Sequence, residues 1–192
     1  MAANMTVGNS PLWRGVRWVV WGGAACLLLL PLVAMQFTAE VDWTLLDFVT
    51  MGVLLALVGG AYELVVRVAR SNTCVVAFGI AVATAFFTIW INLAVGIIGG
   101  EDNRANLMFV GVLAIALSGA VWARLETLRM ARAATVTAAV QALVGVAALF
   151  IAPDQPEGVI LSGILAASWY ATAYLFRIAA RDQQASLTLP AG

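Results

Sequence analysis

Six stretches of this chain stay apolar for roughly the length of a membrane crossing, and no other feature limits its fold so strongly. They are Val16 to Met35, Thr44 to Val66, Cys74 to Ile98, Ala105 to Ala123, Ala133 to Ala152 and Gly158 to Ala179. A helix takes about 20 residues to cross the hydrocarbon core of a bilayer, so each run is long enough to span it. With 63% hydrophobic and only 10% charged residues, the chain would expose large apolar patches to water as a soluble domain. The expectation is an all-α integral membrane protein of six transmembrane helices, with the lipid bilayer as its first partner. Most soluble enzyme folds, nucleic-acid-binding modules and secreted disulfide scaffolds are excluded.

The segments between the runs carry turn chemistry, Gly99-Gly100 before Glu101-Asp102-Asn103, and Pro153 to Gly158 with its two prolines. Short connections make neighbouring helices antiparallel, so three hairpins are expected. Arg14 and Arg17 ahead of the first run imitate a signal peptide, but Phe37-Thr38-Ala39 puts a bulky residue where a cleavage site needs a small one, so it reads as an uncleaved span. Residues 1–182 read as a single six-helix domain, and 183–192 as a mobile cytoplasmic tail. Cys26 and Cys74 fall at different depths of their runs, too far apart for a disulfide, and read as small packing residues.

Arginine sets the orientation. With the N-terminus in the cytoplasm, Arg14, Arg17, Arg67, Arg70, Arg124, Arg129, Arg132, Arg177 and Arg181 lie inside and only Arg104 lies outside. That asymmetry is the positive-inside signal, and it puts both termini in the cytoplasm. Carboxylates run the other way, with Glu40, Asp42, Asp47, Glu101, Asp102, Asp154 and Glu157 outside.

A faint repeat fits the hairpin plan: Gly52–Ala56, Gly111–Ala114 and Gly163–Ala166 share a glycine-aliphatic-leucine-alanine pattern in successive even-numbered helices. Small residues also recur every four positions at Gly52, Ala56 and Gly60, at Gly163, Ala167 and Ala171, and at Gly96 and Gly100. Such stripes let helix backbones approach closely, either within the bundle or in a homo-oligomer.

Polar residues inside the runs are the candidates for function. Thr84, Thr88 and Asn92 share one face of the third helix, and Thr137, Gln141 and Gly145 repeat the pattern in the fifth. They read either as interhelical hydrogen bonds or as the lining of a polar path, with Asn92 and Gln141 in it. Glu63 precedes Arg67 by four residues, the better order for a helical ion pair, and is read as structural. Trp13, Trp18, Trp43, Tyr62 and Trp122 fall near the predicted boundaries, as aromatic belts do.

The segment from Gly99 to Asn106 is the densest polar stretch. Asp102 or Asn103 can cap the fourth helix, but two carboxylates, two asparagines and an arginine exceed what a cap requires. Asp47, Asn92, Glu101, Asp102 and Asn106 are therefore a candidate cation or solute site at the outer mouth of the bundle, set against the plainer reading of a water-screened cap. No spacing matches a known metal loop.

The sequence has no histidine, and all ten basic residues are arginine. It lacks a phosphate-binding glycine loop, a Ser-His-Asp set and a Schiff-base lysine, so no catalytic residue, metal ligand or cofactor is expected. The stretch Trp90-Ile-Asn-Leu-Ala-Val-Gly-Ile-Ile-Gly-Gly-Glu-Asp-Asn-Arg-Ala-Asn-Leu-Met-Phe109, with Gly111-Val-Leu-Ala and Arg129-Met-Ala-Arg-Ala133 after it, resembles an uncharacterised family of small six-span inner-membrane proteins of Gram-negative bacteria. The resemblance implies a bacterial inner-membrane location and no particular activity. Two function classes follow: a small-solute or ion transporter or transporter subunit, and a non-transporting accessory or scaffold protein bound to itself or to a larger membrane complex. Reporter fusions test the topology. Cytoplasmic reporters are expected to be active after Arg70 and Arg132, and periplasmic ones after Asp42, Asp102 and Asp154.

Overall fold

The computed structural model describes residues 11–69, 71–100 and 102–188. Six helices follow in order: α1 (Pro11–Ala34), α2 (Leu45–Val68), α3 (Asn72–Ala94), α4 (Leu107–Ala123), α5 (Thr127–Ile151) and α6 (Pro156–Thr188), with a single 3-10 turn, Arg104–Asn106, ahead of α4. No strand occurs among the described residues. Six segments are long and apolar enough to cross a membrane. Large apolar side chains such as Leu30, Leu57, Leu117, Leu143 and Phe150 point outward, a surface that suits acyl chains and not water.

Helix ends depart from the apolar runs in a consistent way. α5 begins at Thr127, six residues before the run at Ala133, and α6 continues past Ala179 to Thr188. Arginine, leucine, methionine and glutamine are good helix formers, so the backbone continues where hydropathy falls. The segment expected as a tail from residue 183 is therefore helical through Thr188. α3 instead stops at Ala94, short of Ile98. Gly96 adopts a left-handed φ of 70°, and its amide reaches back to the Ile91 carbonyl at 3.1 Å, a glycine C-terminal stop. Gly96 and Gly100, expected as a helical packing pair, are thus turn residues with positive φ.

The chain divides into two compact units, Met1–Asn72 and Thr73–Gly192. In the first, α2 starts with a capping box: Thr44 receives the Asp47 amide while the Asp47 carboxylate accepts the Thr44 amide at 2.7 Å. Trp43 packs edge-on against Phe48 with ring centroids 5.2 Å apart, a hydrophobic staple that sets how the chain enters the helix. Glu63 is the hub between α1 and α2. Its carboxylate takes both Arg17 Nε, at 2.5 Å, and Arg17 Nη2, and Arg67 stands 3.8 Å away. The i,i+4 pair foreseen from spacing is therefore secondary to a cross-helix one. Tyr62 donates to the Trp13 carbonyl and Trp13 Nε1 to Asn72 Oδ1, both at 2.9 Å. Trp21 packs closely on Gly59, where a Cβ would stand 2.8 Å from the ring.

In the second unit, α5 carries the buried face. Thr127, Met130, Ala131, Ala134, Thr137, Ala138, Gln141, Val144, Gly145 and Ala148 are all buried, a seven-residue repeat of the kind that gives knobs-into-holes packing at a shallow crossing angle. α6 answers with Ser162, Leu165, Trp169, Thr172 and Phe176. Thr127 hydrogen-bonds Gln183 at 3.1 Å, Arg177 hydrogen-bonds Thr135 at 2.9 Å, and Gly145 packs on Ser162.

Two apolar clusters lie toward opposite ends of these helices. One joins Ile97, Ile98, Phe109, Val112, Val144, Ala148 and Leu165. The other joins Ala77, Ala123, Met130, Ala131 and Phe176, with Phe78 edge-on to Phe176. Gly158, at the start of α6, sits so close to the Ile97 carbonyl that a Cβ would lie 2.5 Å from its oxygen. Gly163 has nothing within 4 Å. Gly158→Ala is expected to lower stability by about 1–3 kcal/mol through overpacking, and Gly163→Ala to change it by less than about 0.5 kcal/mol. Thermal unfolding of the two variants in detergent compares them.

Candidate functional site

The outer polar residues are arranged for loop construction. Asn106 Oδ1 accepts from the amides of Ile97 and Ile98, at 3.0 and 2.9 Å, while Nδ2 donates to the carbonyls of Ile98 and Gly100, at 3.2 and 2.7 Å. An asparagine amide has two donors and one oxygen with two lone pairs, so all of its capacity is engaged. Asn103 accepts the Ala105 amide and caps the 3-10 turn. Together they fold the loop back so that Ile97 and Ile98 enter the core. Of the two caps considered for α4, Asp102 or Asn103, it is Asn103 that caps, and it caps the 3-10 turn leading into α4, whose own N-cap residue Asn106 makes no side-chain cap hydrogen bond.

The other members of that candidate site stand as follows. Asp47 belongs to the first unit and closes the capping box of α2. Asp102 is exposed. Asn92 donates to the Thr88 carbonyl at 2.7 Å. Glu101 lies outside the described residues. No group of three or more acidic or cysteine side chains able to hold a metal occurs among the described residues.

A different polar group lies inside the second unit. Thr84 and Thr88 of α3, Thr137 and Gln141 of α5, and Ser162 and Thr172 of α6 are buried, as is Trp169. Along each helix, most of these residues fall between the two apolar clusters: Thr84 and Thr88 between Ala77 and Ile91, Thr137 and Gln141 between Ala131 and Val144, Trp169 and Thr172 between Leu165 and Phe176. They form a polar layer near the middle of three spans.

The threonines do not tie the helices together. Thr84, Thr88, Thr137 and Thr172 each donate to a carbonyl four residues back in their own helix, at 2.7–3.0 Å. Their second lone pairs are left to accept. Cross-helix hydrogen bonds are made elsewhere, where Arg177 donates to the Thr135 hydroxyl, the Thr127 hydroxyl to Gln183 and the Gln183 amide to the Cys74 sulfur at 3.8 Å.

Gln141 differs from the threonines. It is fully buried at 0% exposure, and neither its oxygen nor its nitrogen has a hydrogen-bond partner in the protein. Ser162 Oγ, Trp169 Nε1 and Asn92 Oδ1 are buried and unpartnered too. Gly145, which packs on Ser162, is one helical turn from Gln141, placing the serine beside the amide's end of the α5–α6 seam. The layer thus holds donors in Gln141 and Trp169 and acceptors in Gln141 and the threonines, with no formal charge, and Asn92 and Ser162 lie beside it at the level of the Ile97–Ile98 cluster. Gln141, Thr84, Thr88 and Asn92 were legible as a polar face. Ser162 and Thr172 were missed, though the spacing 162, 165, 169, 172, 176 repeats the period of a buried seam.

Comparison with protein-family models, with curated proteins and with solved structures yields no match.

Replacing Asn106 by alanine removes four hydrogen bonds at once and strands the Ile97 and Ile98 amides. Asn106→Ala is expected to cost about 2–6 kcal/mol at roughly 0.5–1.5 kcal/mol per bond, with faster amide exchange at Ile97 and Ile98. Asn106→Asp, which keeps both acceptor contacts, should lose less. Unfolding temperature and residue-resolved exchange measure the two.

Proposed function

We propose that this chain is a polytopic inner-membrane protein that passes a small solute or ion through the polar layer of α3, α5 and α6, alone or as a transporter subunit. The carrying observation is Gln141, an amide with both ends unpartnered at the middle of a lipid-embedded helix. An unsatisfied buried polar group costs about 1–3 kcal/mol, and polar side chains in a span ordinarily find a partner on a neighbouring helix, so an amide without one has its donors and acceptor left for a solute. The lining is made of dipoles without carboxylate or guanidinium, which suits a neutral polar solute or a cation held by oxygens.

The N-in, C-in orientation rests on the arginine asymmetry. Two hairpins of the three-hairpin plan draw support, α1–α2 from the pairing of Trp13 with Tyr62 and Arg17 with Glu63, and α5–α6 from that of Thr127 with Gln183 and Gly145 with Ser162. The bacterial inner-membrane location follows from the family resemblance alone.

One observation favours the alternative, an accessory or scaffold protein that binds itself or a larger membrane complex. The small-residue stripes are not used inside the units. Ala56, Gly60, Gly163 and Ala167 are exposed, and open space surrounds Gly52, Gly60 and Gly163, so these faces are free for another helix.

Gln141→Leu separates the readings. It removes the unsatisfied amide at similar volume, so it is expected to raise stability by about 1–3 kcal/mol and to abolish uptake in liposomes assayed with glycerol, urea and K⁺. Wild-type flux that survives Gln141→Leu overturns the proposed path. Stoichiometric co-purification with another membrane protein, without flux, selects the alternative.

A further inference from the structure

The outer face of α4 and α5 carries a groove of about 560 Å³ lined by Ala114, Ile115, Ser118, Gly119, Trp122, Arg132, Ala133 and Val136. Its floor is a close approach of the two helices, where a Cβ on Gly119 would stand 2.8 Å from Ala133 Cβ. From Trp122 to Ala114 the groove follows α4 for about 12 Å at 1.5 Å per residue, most of the ~15 Å depth of one leaflet's hydrocarbon. Its walls are aliphatic, and its charge is at one end only.

That end is built around arginine. Arg132 is exposed and has no carboxylate partner among the described residues. Arg129 is engaged otherwise, bound to Glu126 at 2.7 Å and lying over the Trp122 ring with its guanidinium carbon 5.6 Å from the centroid. Arg124 closes α4 in a left-handed conformation with φ of 48°. Three guanidiniums therefore face one carboxylate at the α4–α5 turn. With the 3-10 turn ahead of it, α4 makes a 20-residue apolar segment from Arg104 to Ala123, about 30 Å and so about the thickness of the hydrocarbon core, which puts the α4–α5 turn at the headgroups with Arg132, five residues into α5, beside them. A bare guanidinium there needs an anion that is itself anchored in the membrane.

We propose that this groove is a binding site for an anionic phospholipid, one acyl chain lying along Ala114, Ile115, Ser118, Gly119 and Val136, with the phosphate on Arg132. Trp122 sits at the groove mouth, at the level such a headgroup occupies. A second protein helix in the same groove would bury Arg132 against an apolar wall without a counter-charge, whereas a phosphate gives it a charge-assisted, bidentate partner. The proposal rests on the chain spanning a membrane, not on transport.

Native mass spectrometry of the full-length protein in mild detergent tests it, with dioleoyl phosphatidylglycerol and dioleoyl phosphatidylcholine added at equal concentration. Phosphatidylglycerol adducts are expected to exceed phosphatidylcholine adducts by about fivefold to tenfold, the effect of one basic residue at the headgroup. Arg132→Gln should bring the two lipids level, and Arg132→Lys should restore part of the preference. Val136→Trp, which fills the groove and leaves the charge intact, should reduce both adducts, and Arg181→Gln should leave the preference unchanged. Unfolding temperatures of all four variants verify that they are folded. Equal binding of the two lipids by the wild type, a preference that survives Arg132→Gln, or a lipid-free dimer that Val136→Trp dissociates would each overturn the proposal.

Discussion

Hydrocarbon supplies no hydrogen bonds, and the architecture of this chain is the consequence. Every backbone amide in a span must be paired within its own helix, which leaves α-helices as the structure available to six apolar runs. Side chains obey the same constraint. Thr84, Thr88, Thr137 and Thr172 donate to their own helix backbones. Glu63 collects both Arg17 contacts and stands near Arg67, and Asn106 satisfies two amides and two carbonyls in the one loop that re-enters the core. Against this background, the unpartnered atoms of Gln141, Ser162, Trp169 and Asn92 stand out among the described residues as departures from that rule.

Packing follows from the same solvent. Lipid tails are as apolar as leucine, so burying a large aliphatic side chain between helices gains little over leaving it in lipid. What holds helices together is close approach, and α5 shows it: its buried face is largely alanine, threonine and glycine, while Leu143, Phe150 and Ile151 point outward. The closest approaches are made by single small residues meeting specific partners, Gly59 under Trp21, Gly119 against Ala133, Gly145 on Ser162 and Gly158 at the Ile97 carbonyl.

The polar layer and the loop divide the polar residues by role. Asparagines at the helix ends build the loop, because a short amide side chain reaches nearby backbone groups on both sides. Residues near the centre of the spans have no free backbone within reach apart from their own i−4 carbonyls. A hydroxyl can use those, as the threonines do. The longer amide of Gln141 projects into the helix seam instead, where its donors and acceptor are left for something else.

Span number, all-helical class and the approximate limits of each helix were legible from hydropathy, because a crossing of fixed thickness demands a fixed length of apolar chain. Asn92 and Gln141 were legible as candidate lining because polar side chains are rare in such runs. Hydropathy could not show which face of a span is inside, since core and lipid are equally apolar. The regular small-residue stripes at Gly52 and Gly163 were thus attractive in sequence, yet the units use Gly59 and Gly145 in their place. Nor does spacing reveal that Glu63 turns to Arg17, 46 residues away, or that Asn106 is held by the Ile97–Gly100 backbone. Those choices depend on which side chains come within hydrogen-bond reach once the helices pack, and only tertiary structure sets that distance.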